Sequence, residues 1–261
     1  MSRLKLSSLS IALMILNGCA TATDKTLSPP SDTQWVNVEI KNPSPYTSPF
    51  PLEVVYLSDV CKKSYISGFD GKRVEEVNYN PINIPLKQKG NSDIYQAKIA
   101  MIGGGACQWR LSEFNLGIEY IDAKHLGKGL VPGTAVGATI AFDDVASRNG
   151  QFESVSGNNL KLAPKYFPMI TRWSKRKNSN KPDDVSLFGE GKAFISQRIY
   201  PKSDLNIMIN YHPILDEKKT VEIIFPYAKN KGDHTKIKYP DGSVVSDGSI
   251  YPDFEKVEKI N

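Results

Sequence analysis

The sequence has few cysteines and histidines, with three of each among its 261 residues. His125, His212 and His234 are scattered, and neither an H-E-x-x-H pattern nor ligand spacing with the cysteines occurs, so no metal site is predicted. The G-x-S-x-G turn that carries a serine nucleophile is missing as well. We therefore expect the protein not to be an enzyme and to need no cofactor.

A hydrophobic run long enough to cross a membrane, about 20 residues, is also missing. The apolar run at residues 9–16 is far shorter, follows Arg3 and Lys5, and closes on Leu16-Asn17-Gly18-Cys19. A basic start, a short apolar centre and a small-residue end are typical of a secretory signal peptide, and the cysteine resembles that of a bacterial lipobox. We expect residues 1–18 to be removed and Cys19 to be lipidated. An ordinary signal peptide with a chance cysteine is the alternative.

An excess of charge of one sign is absent too. Removal of residues 1–18 takes away two bases and no acid, so lysine plus arginine falls from 33 to 31 against 28 acids and the net charge from +5 to +3. This mild balance argues against nucleic acid as a partner. Ala20 stands where an aspartate would resemble an inner-membrane retention signal, which favours a lipid anchor on the periplasmic face of the outer membrane.

Two cysteines remain once Cys19 is assigned to lipid. In an oxidising compartment an isolated pair is most simply a disulfide, so Cys61 and Cys107 are predicted to be bonded. A metal site and a catalytic thiol are the competing interpretations. The first lacks ligand spacing, and the second would need a thiol that stays reduced outside the cytoplasm.

Alternating apolar and polar residues predict strands along most of the chain, as at 34–41, where Val36, Val38 and Ile40 alternate with polar side chains. No sustained helical stripe follows the signal peptide. The fold class is therefore predicted to be mostly β, with antiparallel sheets, an immunoglobulin-like sandwich in the N-terminal part and a second, smaller β part.

The expected organisation is a signal peptide at 1–18, a flexible tether at 19–32, a disulfide-bonded β-sandwich at 33–145 and a β-rich domain at 146–261. Gly103-Gly104-Gly105 could cradle phosphate, but the lysine and serine or threonine of a phosphate loop do not follow it. A turn that lets Cys107 approach Cys61 is the favoured interpretation.

Two polar stretches are candidates for binding a partner protein, because long loops on a sheet scaffold often carry recognition. The first, residues 62–80, contains Tyr65 and Phe69, and the second, residues 172–184, is a basic run. Exposed loops without a partner are the alternative for both. Aromatic side chains dominate binding hot spots, so Tyr65, Phe69 and Trp173 are the predicted anchors. The basic side chains Arg172, Lys175 and Arg176 are further predicted contact residues.

Three motifs carry a resemblance to a known family: Ser48-Pro-Phe-Pro-Leu-Glu-Val, then Tyr56 with Cys61-Lys62-Lys63, then the run from Gly103 to Ser112. They resemble enterobacterial lipoproteins encoded beside type VI secretion effectors, the immunity proteins against secreted lipases. The resemblance covers residues 34–121 and its motifs are structural. It implies that the protein binds a toxic phospholipase delivered into the periplasm and occludes its active or membrane-facing surface.

Two other functions stay open. An envelope assembly or structural lipoprotein would bind a resident envelope complex instead of a toxin. A hydrolase without a recognised motif would depend on a side chain such as His125, which follows a predicted strand and could act as a base.

Overall fold

The computed structural model describes residues 23–146, 151–173, 182–190, 193–226 and 234–260. Strands make up 53% of the structure and helices 4%, which confirms the prediction of a mostly β, sandwich-class fold. Among the described residues, helix is confined to a 3-10 turn at Lys124–Leu126 and to α1 (Phe254–Lys259).

The strands are, in chain order, β1 (Trp35–Lys41), β2 (Thr47–Pro49), β3 (Leu52–Ile66), β4 (Arg73–Ile84), β5 (Lys87–Gln88), β6 (Ile94–Ala100), β7 (Ile102–Gly104), β8 (Trp109–Tyr120), β9 (Val131–Pro132), β10 (Val136–Ala141), β11 (Glu153–Ser156), β12 (Asn159–Leu162), β13 (Lys165–Trp173), β14 (Asp184–Phe188), β15 (Phe194–Tyr200), β16 (Ile207–Tyr211), β17 (Ile214–Leu215), β18 (Val221–Phe225), β19 (Lys236–Lys238) and β20 (Val244–Val245).

Within these ranges the strands form three sheets. The first has the order β12-β16-β1-β6-β5. The second has the order β11-β15-β10-β8-β3-β4, with β2 and β7 also paired to β8. The third has the order β20-β19-β18-β13-β14-β9, with β17 paired to β13.

The sheets are mixed, whereas antiparallel sheets were expected. Antiparallel pairing holds for β1 with β6 and for β3 with β4 and β8. Strands from the two halves of the chain pair in parallel: Val36 of β1 lies opposite Ile207 of β16, and Gly137 of β10 lies opposite Phe194 of β15. The expected domain boundary at residues 145/146 therefore divides strands that share the first and second sheets.

The third sheet lies between two hydrophobic cores, and β13 shows how. Tyr166 and Ile170 point into the larger core, whereas Phe167 and Met169 point into the smaller one. Successive side chains of a strand face opposite sides of the sheet, so β13 is buried on both faces. This is why its sequence reads as a continuous apolar run without alternation.

The buried tyrosine hydroxyls of β13 and β16 form a chain of hydrogen bonds between the sheets. Tyr211 donates to the hydroxyl of Tyr166 at 2.9 Å, and Tyr166 donates to the carbonyl of Gly137 at 3.5 Å. These residues belong to the first, third and second sheets respectively. These hydrogen bonds thus satisfy buried polar groups and link all three sheets.

Candidate functional site

The stretch at residues 62–80, expected to be a loop, is largely a β-hairpin. Strands β3 and β4 pair from Leu52 and Ile84 out to Ile66 and Arg73. The pairing of β3 with β8 ends at Leu57, so beyond this point the described partner of β3 is β4 alone. We call the two-stranded part, residues 58–66 of β3 and 73–78 of β4, the ribbon, and residues 65–73 its tip.

A bulge at the base of the ribbon accommodates Cys61. Ser58 lies opposite Asn78 and Lys63 opposite Glu76, so β3 advances five residues where β4 advances two. The hydroxyl of Ser58 accepts hydrogen bonds from the backbone N–H groups of Val60 and Cys61, at 3.2 and 2.9 Å. The extra residues of the bulge therefore keep hydrogen-bonding partners.

The base of the ribbon is fastened to the second sheet. The predicted disulfide between Cys61 and Cys107 is confirmed. Ser58 donates a hydrogen bond to the carbonyl of Cys107, and Arg110 of β8 contacts Asp59 at 3.2 Å. Three kinds of contact thus connect the bulge to the β7–β8 connection and to β8, so the ribbon rises from a constrained base.

The tip exposes apolar side chains. Phe69 is 100% exposed, Ile66 66% and Tyr65 46%. Singly exposed apolar residues are common, but three of them on one short hairpin concentrate exposed apolar surface at the tip, and such surface often marks an interaction site. The structure therefore brings together Tyr65 and Phe69, two of the predicted contact residues, and adds Ile66, which sequence analysis missed.

Several charges of the ribbon and its tip are paired with one another. Lys63 contacts Glu76 at 3.2 Å, and Lys72 contacts Asp70 at 3.4 Å. The hydroxyl of Tyr65 donates to Glu76 at 2.8 Å, and this hydrogen bond to a carboxylate raises the pKa of the tyrosine. Because these charges neutralise one another locally, the exposed apolar side chains are the main feature that the tip presents to a partner.

A segment that was expected to be free is packed beside the base of the ribbon. Residues 23–28, which we call the N-terminal segment, belong to the predicted flexible tether at 19–32. The backbone N–H of Ser28 donates to the carbonyl of Gly103 at 2.8 Å, and the indole N–H of Trp109 donates to that of Asp24 at 3.0 Å. The predicted tether is therefore packed against the fold from Asp24 onward.

The triple glycine makes room for the N-terminal segment. A Cβ atom on Gly104 would lie 2.2 Å from the carbonyl oxygen of Ser28, and one on Gly105 would lie 2.4 Å from that of Thr26. Both glycines also have positive φ angles, of 62° and 73°. Close packing against the N-terminal segment is thus a role of this motif that the sequence-based interpretation did not include.

The second predicted contact region has a different position. Arg172 and Trp173 end β13 in the third sheet, where Arg172 contacts Glu222 at 2.7 Å and Asp183 at 3.2 Å. Trp173 stacks on Phe225 with ring centroids 4.9 Å apart. The structure thus places these two side chains in intramolecular contacts and not on the ribbon. Lys175 and Arg176 lie outside the described residues, as do Cys19 and the signal peptide.

His125, the possible base, belongs to a separate cluster. Its Nε2 lies 2.9 Å from a carboxylate oxygen of Glu217, and Tyr120 donates to the same oxygen at 2.9 Å. The imidazole stacks on Tyr46 with 3.6 Å between ring centroids. Burial, reinforced by the charge of Glu217, raises the pKa of Tyr120 strongly. In this arrangement the contacts of His125 hold the Lys124–Leu126 turn against neighbouring loops.

Two further features bear on the class of site. The described ranges hold no group of three or more histidine, cysteine, aspartate or glutamate side chains that could bind a metal ion. In the same part of the chain, no helix has the length and apolar character needed to span a membrane.

The ribbon thus combines exposure, apolar chemistry and a constrained base, and it is our candidate functional site. Comparison of the chain with protein-family models, with curated proteins and with solved structures found no match.

Proposed function

We propose that the protein is an immunity lipoprotein, anchored through Cys19 on the periplasmic face of the outer membrane, that binds and neutralises a type VI secretion effector. The proposed effector is a phospholipase, as the resemblance over residues 34–121 implies. The mechanism would be steric occlusion of the lipase, with no chemical step on this chain.

The observation that carries the proposal is the ribbon, through the face of Tyr65 and the outer edge of β4. The face that carries Tyr65 offers an aromatic anchor with a polar end, the residue type that is enriched at binding hot spots. Strand β4 is the last strand in the order of the second sheet, so its outer edge offers backbone groups for a strand of the partner. The disulfide at Cys61 reduces the ordering that binding would require.

The test is capture of the effector by the soluble chain, residues 20–261, which retains all described residues. This protein is mixed with the product of the adjacent gene and, separately, with periplasmic extract, and both complex formation and lipase activity are measured. Tight capture with loss of lipase activity is the expected result. Capture of resident envelope proteins alone, with the lipase left active, would overturn the proposal and favour an envelope assembly function.

A matched pair of variants locates the interface. Tyr65→Ser removes a tyrosine that is 46% exposed on the ribbon, and Tyr200→Ser removes one that is 45% exposed on β15. We expect the first variant to weaken capture by roughly tenfold or more, as for a hot-spot side chain, and the second to leave it unchanged. Equal effects of the two variants would exclude the ribbon as the binding surface.

A further inference from the structure

The N-terminal segment runs beside β4 and reaches Thr23, the first described residue. The side-chain amide of Asn80 donates to the carbonyl of Lys25 at 2.9 Å, and that of Asn78 donates to the hydroxyl of Thr23 at 3.1 Å. Strand β4 runs from the tip at Arg73 towards Asn80. A chain followed backwards from Lys25 to Thr23 therefore advances along β4 towards the tip.

Covalent geometry limits how far the anchor can be from this point. Thr23 is four positions from Cys19, so their Cα atoms lie at most about 14 Å apart. Along β4, Asn78 is five positions from Arg73, a distance of about 17 Å at the usual strand rise. The tip therefore extends at least as far beyond Thr23 as the lipidated residue can.

The chemistry of the tip suits the boundary between lipid headgroups and acyl chains. Phe69 and Ile66 are large apolar side chains at the tip, 100% and 66% exposed to solvent. Aromatic and aliphatic residues of this kind are typical of membrane-interface elements. Because Lys63 and Lys72 are paired with acids, attraction to the bilayer would come from apolar burial more than from charge.

We propose that the ribbon tip is a membrane-contact element, in which Phe69 and Ile66 insert into the phospholipid surface that holds the lipid on Cys19. Of the proposed function, this inference uses only the lipid anchor. The face of Tyr65 and the edge of β4 remain available to the effector. The ribbon would thus stand at the surface on which a phospholipase must act.

The test uses the full lipidated protein in vesicles of phosphatidylethanolamine and phosphatidylglycerol whose upper acyl chains carry bromine, which quenches tryptophan on contact. Phe69→Trp reports on the tip. Ile121→Trp is the control, because Ile121 is 59% exposed and follows the end of β8 opposite to Trp109 and the ribbon. The emission spectrum of the unsubstituted protein is subtracted from that of each variant, which removes the signal of the three native tryptophans.

We expect the F69W tryptophan to lose emission and shift to the blue in these vesicles, and the I121W tryptophan to keep its aqueous emission. Equal emission of the two variants would overturn the inference. Shielding of the F69W tryptophan by the purified lipase and not by lipid would overturn it too, because the tip would then belong to the effector interface.

Two separate measurements distinguish a failure of the inference from a failure of the proposed function. Detergent phase partition of the full chain reports lipidation, and the lipase assay on the unsubstituted protein reports effector neutralisation. Lipidation and neutralisation without quenching would overturn the membrane contact alone. Absence of lipidation would overturn both the anchor and the contact inferred from it.

Discussion

The indole N–H of Trp109 donates a hydrogen bond to the backbone carbonyl of Asp24 across 85 positions of sequence, with 3.0 Å between nitrogen and oxygen. Trp109 is completely buried, and it begins β8, beside the disulfide at Cys107. This bond fixes the N-terminal segment at the base of the ribbon. The N-terminal segment and the candidate binding surface are thus parts of one packed unit.

Substitution of Gly104 tests how much the packed N-terminal segment stabilises the fold. Gly104→Ala forces a Cβ atom onto the carbonyl of Ser28 at a residue with φ of +62°. Gly71→Ala is the control, because Gly71 has a φ of +69° but no atom within 4 Å of the position that a Cβ would take. We expect Gly71→Ala to lower the free energy of unfolding by about 1 kcal/mol, from backbone strain alone, and Gly104→Ala to lower it more.

Urea unfolding measures the difference between these glycine variants, and limited trypsin digestion shows its cause. Cleavage after Lys25 should become faster in Gly104→Ala and stay slow in Gly71→Ala, because the first variant displaces the segment that contains this lysine. Equal loss of stability in the two variants, with Lys25 still protected, would show that the close contact with Ser28 is unimportant.

The sequence predicts the elements that are buried on one face only. Alternation located β1, β6 and β16 because each has one core-facing and one more exposed side. The distal part of β3 is exposed on both faces, so it has no alternation and was expected to be a loop. The parallel pairing of β1 with β16 joins residues about 170 positions apart, which no local pattern specifies.

The candidate site was predictable to a similar degree. The disulfide followed from the number of cysteines and the expected compartment, and Tyr65 and Phe69 followed from aromatic character in a polar stretch. The packing of residues 23–28 was missed, because proline, threonine and serine in this region are typical of a tether. The glycines at 104 and 105 were a signal for it, since a backbone that approaches so closely requires residues without a side chain.

Removal of the disulfide should destabilise the protein and loosen the ribbon. Cys61 and Cys107 are 46 positions apart, and closing a loop of that length stabilises a fold by about 4 kcal/mol in the chain-entropy model. We expect the double variant Cys61→Ala, Cys107→Ala to lose stability of this order and to capture the effector less tightly. Addition of a reductant should destabilise the unsubstituted protein and leave the double variant unaffected. A reductant effect on both proteins would contradict this assignment.

Substitution of His125 separates the binding function from the hydrolase alternative. His125→Ala removes the ring stacked on Tyr46 and the contact with Glu217, so we expect about 1 kcal/mol less stability and unchanged neutralisation of the effector. His125→Phe keeps a stacking ring and should recover part of the stability. A hydrolytic activity present in the unsubstituted protein and lost in both variants would instead support the hydrolase.

The buried tyrosines predict how stability changes at high pH. Burial raises the pKa of Tyr56 to about 12, and it raises that of Tyr166 to about 12. In the unfolded chain a tyrosine ionises near pH 10. Between pH 10 and 12 the unfolded chain has therefore lost protons that the folded protein retains, and the free energy of unfolding should fall as pH rises. The stabilising contribution is complete below pH 10 and decreases above it.

The substitution Tyr56→Phe removes one of the hydroxyl groups that ionise in this pH range. At neutral pH we expect it to reduce stability by about 1 kcal/mol, because the hydroxyl of Tyr56 donates to the carbonyl of Ala100 at 2.8 Å. Above pH 10 the free energy of unfolding should fall less steeply in the variant than in the unsubstituted protein. The difference between the two slopes should be about 1.4 kcal/mol per pH unit. Urea unfolding at several pH values between 9 and 11.5 measures both slopes. Parallel curves would mean that Tyr56 ionises alike in the folded and unfolded states, contrary to its burial against β6.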